Sequence, residues 1–159
     1  MDVDAILEKV TRLASHEDAG GALQRICDHL REVVPHYDWV GYYLALPGDR
    51  LLVLGPFSGA PTEHTKIPYG KGICGQAAER NDTFVVPDVT AESNYLACSV
   101  ATRAEIVLPV QFGGELVGEL DIDSHTRGPF SSADDQLLAG VVEATAPLVA
   151  SILAHVRNA

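Results

Sequence analysis

Two runs of apolar residues, Glu105 to Phe112 and Glu115 to Ile122, meet across Gly113-Gly114. Paired glycines supply the backbone freedom of a tight two-residue turn, so this stretch predicts a β-hairpin. A second pair stands upstream. Asp38 to Leu46 (DWVGYYLAL) is rich in aromatic and β-branched residues, Pro47-Gly48-Asp49 turns the chain, and Arg50 to Leu54 returns. Successive hairpins imply an antiparallel sheet, and the rest of the chain must cover it.

The cover is helical. Val3, Ile6, Leu7, Val10 and Leu13 recur at helical spacing, as do Leu23, Ile26, Cys27, Leu30, Val33 and Val34 in a second segment that Pro35 ends. A long helix begins near Ser131 or Ser132, with Asp134 and Asp135 in its first turn. Its apolar stripe runs from Leu137 to Val156, and Pro147 inside it predicts a kink. Between the hairpins, Gly55 to Pro68 reads as a loop, Gly70 to Ala78 as a glycine turn opening a short helix, and Thr83 to Val86 as a strand. Asp88 to Ser99 reads as loop with one helical turn. Three apolar helices exceed what one sheet face covers easily, which points to a homodimer.

A chain of 159 residues fills one core and leaves no room for a second, so residues 1–159 are read as one domain. The formal net charge of -11 repels phosphate backbones and anionic lipids, which argues against nucleic acid and membrane partners. Three cysteines do not make a secreted disulfide framework, and no apolar run reads as a membrane span, so a cytoplasmic location is expected. The six histidines show no metal-binding spacing, and neither a nucleotide-binding fingerprint nor a zinc pattern is present; no cofactor or metal is expected.

Chemistry concentrates at a few positions. Cys74 lies at the start of the short helix, where free amides and the positive end of the helix dipole favour a thiolate or an anionic ligand group, and where a small buried thiol is equally natural. Cys98 lies in a loop between strands, a frequent place for functional groups, and a packed loop cysteine is an equally natural reading. Cys27 sits on a helical apolar stripe and reads as core. Strand alternation puts Asp121 and Asp123 on one face and Ile122 on the other, and such a pair is either solvated or aimed at a cation or proton donor. Glu105 opens the partner strand and is a third carboxylate nearby. Trp39 and Tyr43 share a face with Gly41 between them, an aromatic wall beside a gap that suits a thioether or methyl group. His64, ten residues before Cys74, is the remaining histidine of interest.

In order and spacing these segments resemble the free methionine-R-sulfoxide reductase family of GAF domains. The pieces are Asp38-Trp39-Val40-Gly41-Tyr42-Tyr43, Leu54-Gly55-Pro56-Phe57, Ile67-Pro68 through Gly70-Lys71-Gly72-Ile73-Cys74-Gly75, Ala97-Cys98, Glu105-Ile106-Val107-Leu108-Pro109, and Gly118 through Leu120-Asp121-Ile122-Asp123-Ser124. The resemblance implies an α+β, GAF-like fold: a central antiparallel sheet with the N- and C-terminal helices on one face and a ligand pocket under loops on the other. It implies Cys98 as nucleophile and Cys74 as its resolving partner. Glu105 and Asp123 are then the proton donors, and Trp39, Tyr43, Asp121, Glu105 and Asp123 bind free methionine sulfoxide. A thioredoxin-like reductant would recycle the enzyme. Many family members carry a further cysteine at the position of His64, so the resemblance implies Cys74 as the internal resolver here, unless an external thiol serves directly. The competing readings are a small-molecule sensor domain and a thiol redox switch.

Overall fold

The computed structural model describes residues 1–15, 18–96 and 101–157. Helices α1 (Val3–Ala14) and α2 (Ala19–Val33) open the chain, followed by strands β1 (Trp39–Leu46), β2 (Leu51–Ser58) and β3 (Lys66–Pro68). Helix α3 (Gly72–Arg80) leads to β4 (Phe84–Val86), β5 (Ala104–Phe112), β6 (Glu115–Ser124) and the long helix α4 (Ser132–Arg157). The six strands form one antiparallel sheet in the order β3-β2-β1-β6-β5-β4. Both predicted hairpins are present, β1 with β2 and β5 with β6.

Alternation along the strands sorts side chains onto two faces. Val40, Tyr42, Leu44, Ile106, Leu108, Leu120 and Ile122 pack against α1, α2 and α4 and form the main core. Trp39, Tyr43, Ala45, Leu52 and Val107 point the other way, where Ile67, Ile73, Cys74, Ala77 and Ala78 cover them. The terminal helices therefore share one face, and α3 with its neighbouring segments closes the other. Cys27 is buried in the helical core, and burial pushes its thiol far above the ordinary range.

The segment read as loop from Gly55 to Pro68 is partly strand. β2 runs on to Ser58 and β3 pairs with it, Leu52 opposite Ile67. Three prolines hid this, but an edge strand of three residues needs few ladder donors, and Pro68 sits at its end. The long helix also corrects an expectation. On length and composition α4 is apolar enough to cross a membrane, yet Leu137, Leu138, Val141, Val149 and Leu153 are core residues against the sheet. The helix continues through Pro147, which is exposed, as is Glu143, so the carbonyl deprived of its i+4 donor can face water.

The start of α4 is tied to the sheet by a buried carboxylate. Asp134 accepts hydrogen bonds from the Tyr37 hydroxyl at 2.7 Å and the Ser131 backbone N–H at 2.8 Å, and His36 Nε2 lies 2.7 Å from it. Burial opposes its ionisation, but the Tyr37, Ser131 and His36 contacts outweigh that and hold Asp134 below the usual aspartate range. A depressed carboxylate stabilises the fold above the ordinary aspartate range and loses that contribution as pH falls through its folded value. Asp134→Ala therefore costs roughly 3 kcal/mol at neutral pH, chiefly by stranding the Tyr37 hydroxyl. In urea unfolding the gap between variant and parent should narrow in acid, where the parent loses the part of that stability tied to ionisation of Asp134.

Candidate functional site

Register places the acidic groups. On the face away from the long helices, Asp123 of β6 stands opposite Trp39 of β1 and Glu105 of β5. Two residues back, Asp121 stands opposite Gly41 and Val107, and a further two back Glu119 stands opposite Tyr43 and Pro109. Alternation thus lines Glu119, Asp121 and Asp123 along one strand, with Glu105 beside the end of the row. All four are buried, none more than 2% exposed. Helix α3 lies over β5 and β6 and brings Cys74 down onto them. Cys74 Sγ donates to Glu105 Oε2 at 3.9 Å, and donor atoms of Cys74, Glu105 and Asp121 lie within 4.8 Å of one another.

The glycine turn makes that approach possible. Gly70 and Gly72 adopt φ of 86° and 67°, a region costly for side chains with a Cβ. A Cβ on Gly75 would lie 2.6 Å from the Pro68 carbonyl oxygen, so only glycine lets the helix start this close to β3. The turn is held by Asn94: its Oδ1 accepts from the Gly72 N–H and its Nδ2 donates to the Gly70 carbonyl, both at 2.8 Å. Gln76 adds hydrogen bonds to the carbonyls of Gly72 and Asn94. The loop leading to residue 97 is thereby fastened to the start of α3.

Between turn and sheet lies a small cleft of about 230 Å³, part of it open to solvent. Cys74, Glu105 and Asp121 form its floor, and Tyr43, Ile67 and Ile73 are among its walls. His64, Lys71 and Leu96 also border it. The Tyr43 hydroxyl donates to the His64 carbonyl at 2.8 Å, fixing the ring as a wall. Trp39 stands behind Tyr43, with ring centroids 6.5 Å apart, stacks on Phe57 at 5.4 Å and donates through Nε1 to the Ala60 carbonyl.

The gap expected at Gly41 is filled. A Cβ there would collide with the Trp39 ring and with Phe57 Cβ, so the indole itself lies over the glycine. The described residues bordering the cleft include Tyr43, Cys74, Glu105 and Asp121 but neither Trp39 nor Asp123, which adjoin it from behind and beside. Cys98 lies outside the described residues. Glu119 was missed by sequence reasoning, although the alternation that paired Asp121 with Asp123 extends to it. Asn94 carried no such signal, because its partners are backbone groups more than twenty residues away.

Packing carboxyls together without water makes them weak acids. Burial first, then the charges of Asp121 and Asp123, pushes Glu105 well above the ordinary glutamate range. Burial likewise raises Asp121, against the opposing contacts of Glu105 and Cys74. Glu119 is raised well above its usual range by burial and by Asp121. Among the described residues no N–H or hydroxyl donates to either oxygen of Asp121. The cluster can therefore hold protons at neutral pH and accept a cationic group, and a cysteine thiol stands against it.

Raised carboxylates have a stability signature opposite to that of Asp134. The unfolded chain releases the Glu105 proton as pH passes the ordinary glutamate range while the folded chain retains it, so the fold loses stability as pH climbs toward the raised value. Glu105→Gln removes that loss. Its stability relative to the parent should increase as pH rises above the ordinary glutamate range, read from urea midpoints.

A GAF domain model matches residues 18–149. Free methionine-R-sulfoxide reductase of Escherichia coli is 40% identical over 113 residues, 71% of this chain and 67% of that protein. The Neisseria meningitidis free methionine-R-sulfoxide reductase, solved in complex with its substrate, superposes with a TM-score of 0.86 at 32% identity, over 94% of this chain and 90% of that one. The type II enzyme from Thermoplasma acidophilum superposes with a TM-score of 0.79 at 40% identity, over 86% and 94% of the two chains. Fold, motif order and these likenesses agree, and the chain belongs to the free methionine-R-sulfoxide reductase family of GAF domains.

Proposed function

We propose that this protein reduces the R-sulfoxide of free methionine to methionine, with Cys98 as nucleophile. The observation that carries the reading is the buried carboxyl cluster at the base of a small cleft that Cys74 and Tyr43 also line. A sulfoxide oxygen is a poor leaving group until it is protonated, and a carboxyl that keeps its proton at neutral pH is the group that can supply one. Glu105 has that property, and Asp123 stands opposite it as a second candidate. A carboxylate in the same cluster, Asp121 foremost, pairs with the substrate ammonium, a group that methionine within a peptide does not have. Tyr43, backed by Trp39, packs against the S-methyl group.

In the reaction the Cys98 thiolate attacks the sulfoxide sulfur, the sulfoxide S–O bond breaks, the oxygen with the proton from Glu105 passes to Cys98 as a sulfenic acid, and methionine leaves reduced by two electrons. Cys74 then forms a disulfide with Cys98 and releases water, and a thioredoxin-like reductant opens that disulfide. His64 occupies the place where many relatives have a third cysteine, which leaves Cys74 as the internal partner. The Escherichia coli and Neisseria meningitidis reductases support the substrate assignment by their likeness to this chain.

Methionine formation from free methionine sulfoxide should be measured with dithiothreitol and with thioredoxin. Cys98→Ser should abolish it, and Glu105→Gln should lower kcat by about 100-fold or more. Ligand binding without turnover in the parent protein would favour the sensor reading instead. Trp39 is the sole tryptophan, so its emission reports on the cleft. Free methionine sulfoxide should shift that emission saturably, whereas an N-acetylated methionine sulfoxide, lacking the ammonium, should not.

A further inference from the structure

The acidic floor of the cleft has no cation of its own. Glu105 and Asp121 are buried, yet among the described residues no lysine, arginine or histidine forms an ion pair with either. Both oxygens of Asp121 and Oε1 of Glu105 accept no hydrogen bond among those residues, and both side chains border the cleft. Carboxylate oxygens shut away from water and from donors are costly unless a cation reaches them. A substrate ammonium is one such cation, but it gains little from a sulfur neighbour, and a sulfur is present. Cys74 Sγ lies 3.9 Å from Glu105 Oε2, and one donor atom each from Cys74, Glu105 and Asp121 lie within 4.8 Å of one another.

We propose that Cys74, Glu105 and Asp121 form a binding site for a thiophilic divalent cation, of which zinc is the type, in the reduced protein. Zinc holds thiolate and carboxylate donors at about 2.0–2.3 Å in a tetrahedron, which sets neighbouring donors roughly 3.5 Å apart. The 3.9 Å between Cys74 Sγ and Glu105 Oε2 is close to that spacing, so a small contraction closes the set around an ion. Cys74 lies in the first turn of α3, where the helix favours the thiolate form that a metal requires. One thiolate with two carboxylates suits zinc, cobalt or cadmium, whereas magnesium and calcium take oxygen ligands. The cleft leaves a fourth position open to water. As the metal enters, the thiol proton and any proton on the two carboxyls pass to solvent, and no electron moves. No metal-binding spacing marks this site in the sequence, because its donors come from α3, β5 and β6. The site stands on this geometry. Its consequence rests on the reductase reading, in which the same three side chains bind the ammonium, supply the proton and resolve the sulfenic acid. The metal is then a competitor of the substrate, not a resident cofactor.

The reduced full chain, kept under a phosphine because dithiothreitol would bind the metal itself, is titrated with cobalt(II). One ion per chain should bind and give a sulfur-to-cobalt charge-transfer band, and zinc should displace it. Cys74→Ser should lose the band. Asp121→Asn should weaken zinc binding by at least about 10-fold, the loss that even an outer-shell substitution produces. No band in the parent, or a band that survives Cys74→Ser, overturns the proposal. X-ray absorption at the zinc edge of the parent complex should show a sulfur ligand at about 2.3 Å. A shell of oxygen and nitrogen alone overturns the proposal even where the variants do not fold. In the methionine assay zinc should raise the apparent KM for free methionine sulfoxide and leave kcat unchanged. A protein that binds zinc through Cys74 but makes no methionine refutes the reductase reading and not the metal site.

Discussion

Four carboxyl groups crowded on one face of a sheet, out of water, set the terms for the rest of this fold. Glu105, Glu119, Asp121 and Asp123 are each buried, and burial disfavours the charged form of a carboxyl by an amount that grows with each like neighbour. The chain tolerates them because the remainder is well made. The opposite sheet face carries an uninterrupted apolar core under three helices, and polar ties such as Asp134 with Tyr37 and Tyr42 with Thr145 lock α4 to β1 and the segment before it. Stability accumulates on one side of the sheet and is spent on the other.

The acidic side is shaped by backbone geometry. Gly70 and Gly72 hold conformations that side chains resist, and Gly75 lets the first turn of α3 touch the end of β3. This puts Cys74 on the carboxyl floor rather than beside it. Asn94 then clasps the turn through two backbone groups, so the segment preceding Cys98 is anchored within the same small region. A thiol, a set of carboxyls able to keep their protons, and an aromatic wall fixed by the Tyr43 to His64 hydrogen bond make one chemical unit from three distant stretches of chain.

Antiparallel architecture was readable because its signals are local. The Gly113-Gly114 turn, the aromatic β1 strand and the helical stripes each specify their own element within a dozen residues. The same is true of the face shared by Asp121 and Asp123, since alternation is a property of any extended strand. Where the sequence reading fell short, pairing partners were remote. β3 and the far end of β2 exist because each completes the other's ladder, and nothing within Gly55 to Pro68 announces that. The supposed gap at Gly41 is filled by the indole of Trp39, which stacks on the neighbouring Phe57.

The amino-acid order by itself determined the hairpins, the helical faces, the family motifs and the identity of the chemical groups, because short-range sterics and hydrophobic periodicity act between near neighbours. Only the tertiary structure decided how acidic those groups are and which of them meet. A carboxyl's affinity for its proton depends on the water removed from around it and on charges contributed by other strands. Glu119 looks like any strand glutamate in the sequence, and it becomes a buried carboxyl held well above the usual glutamate range only once burial and Asp121 act on it in the fold.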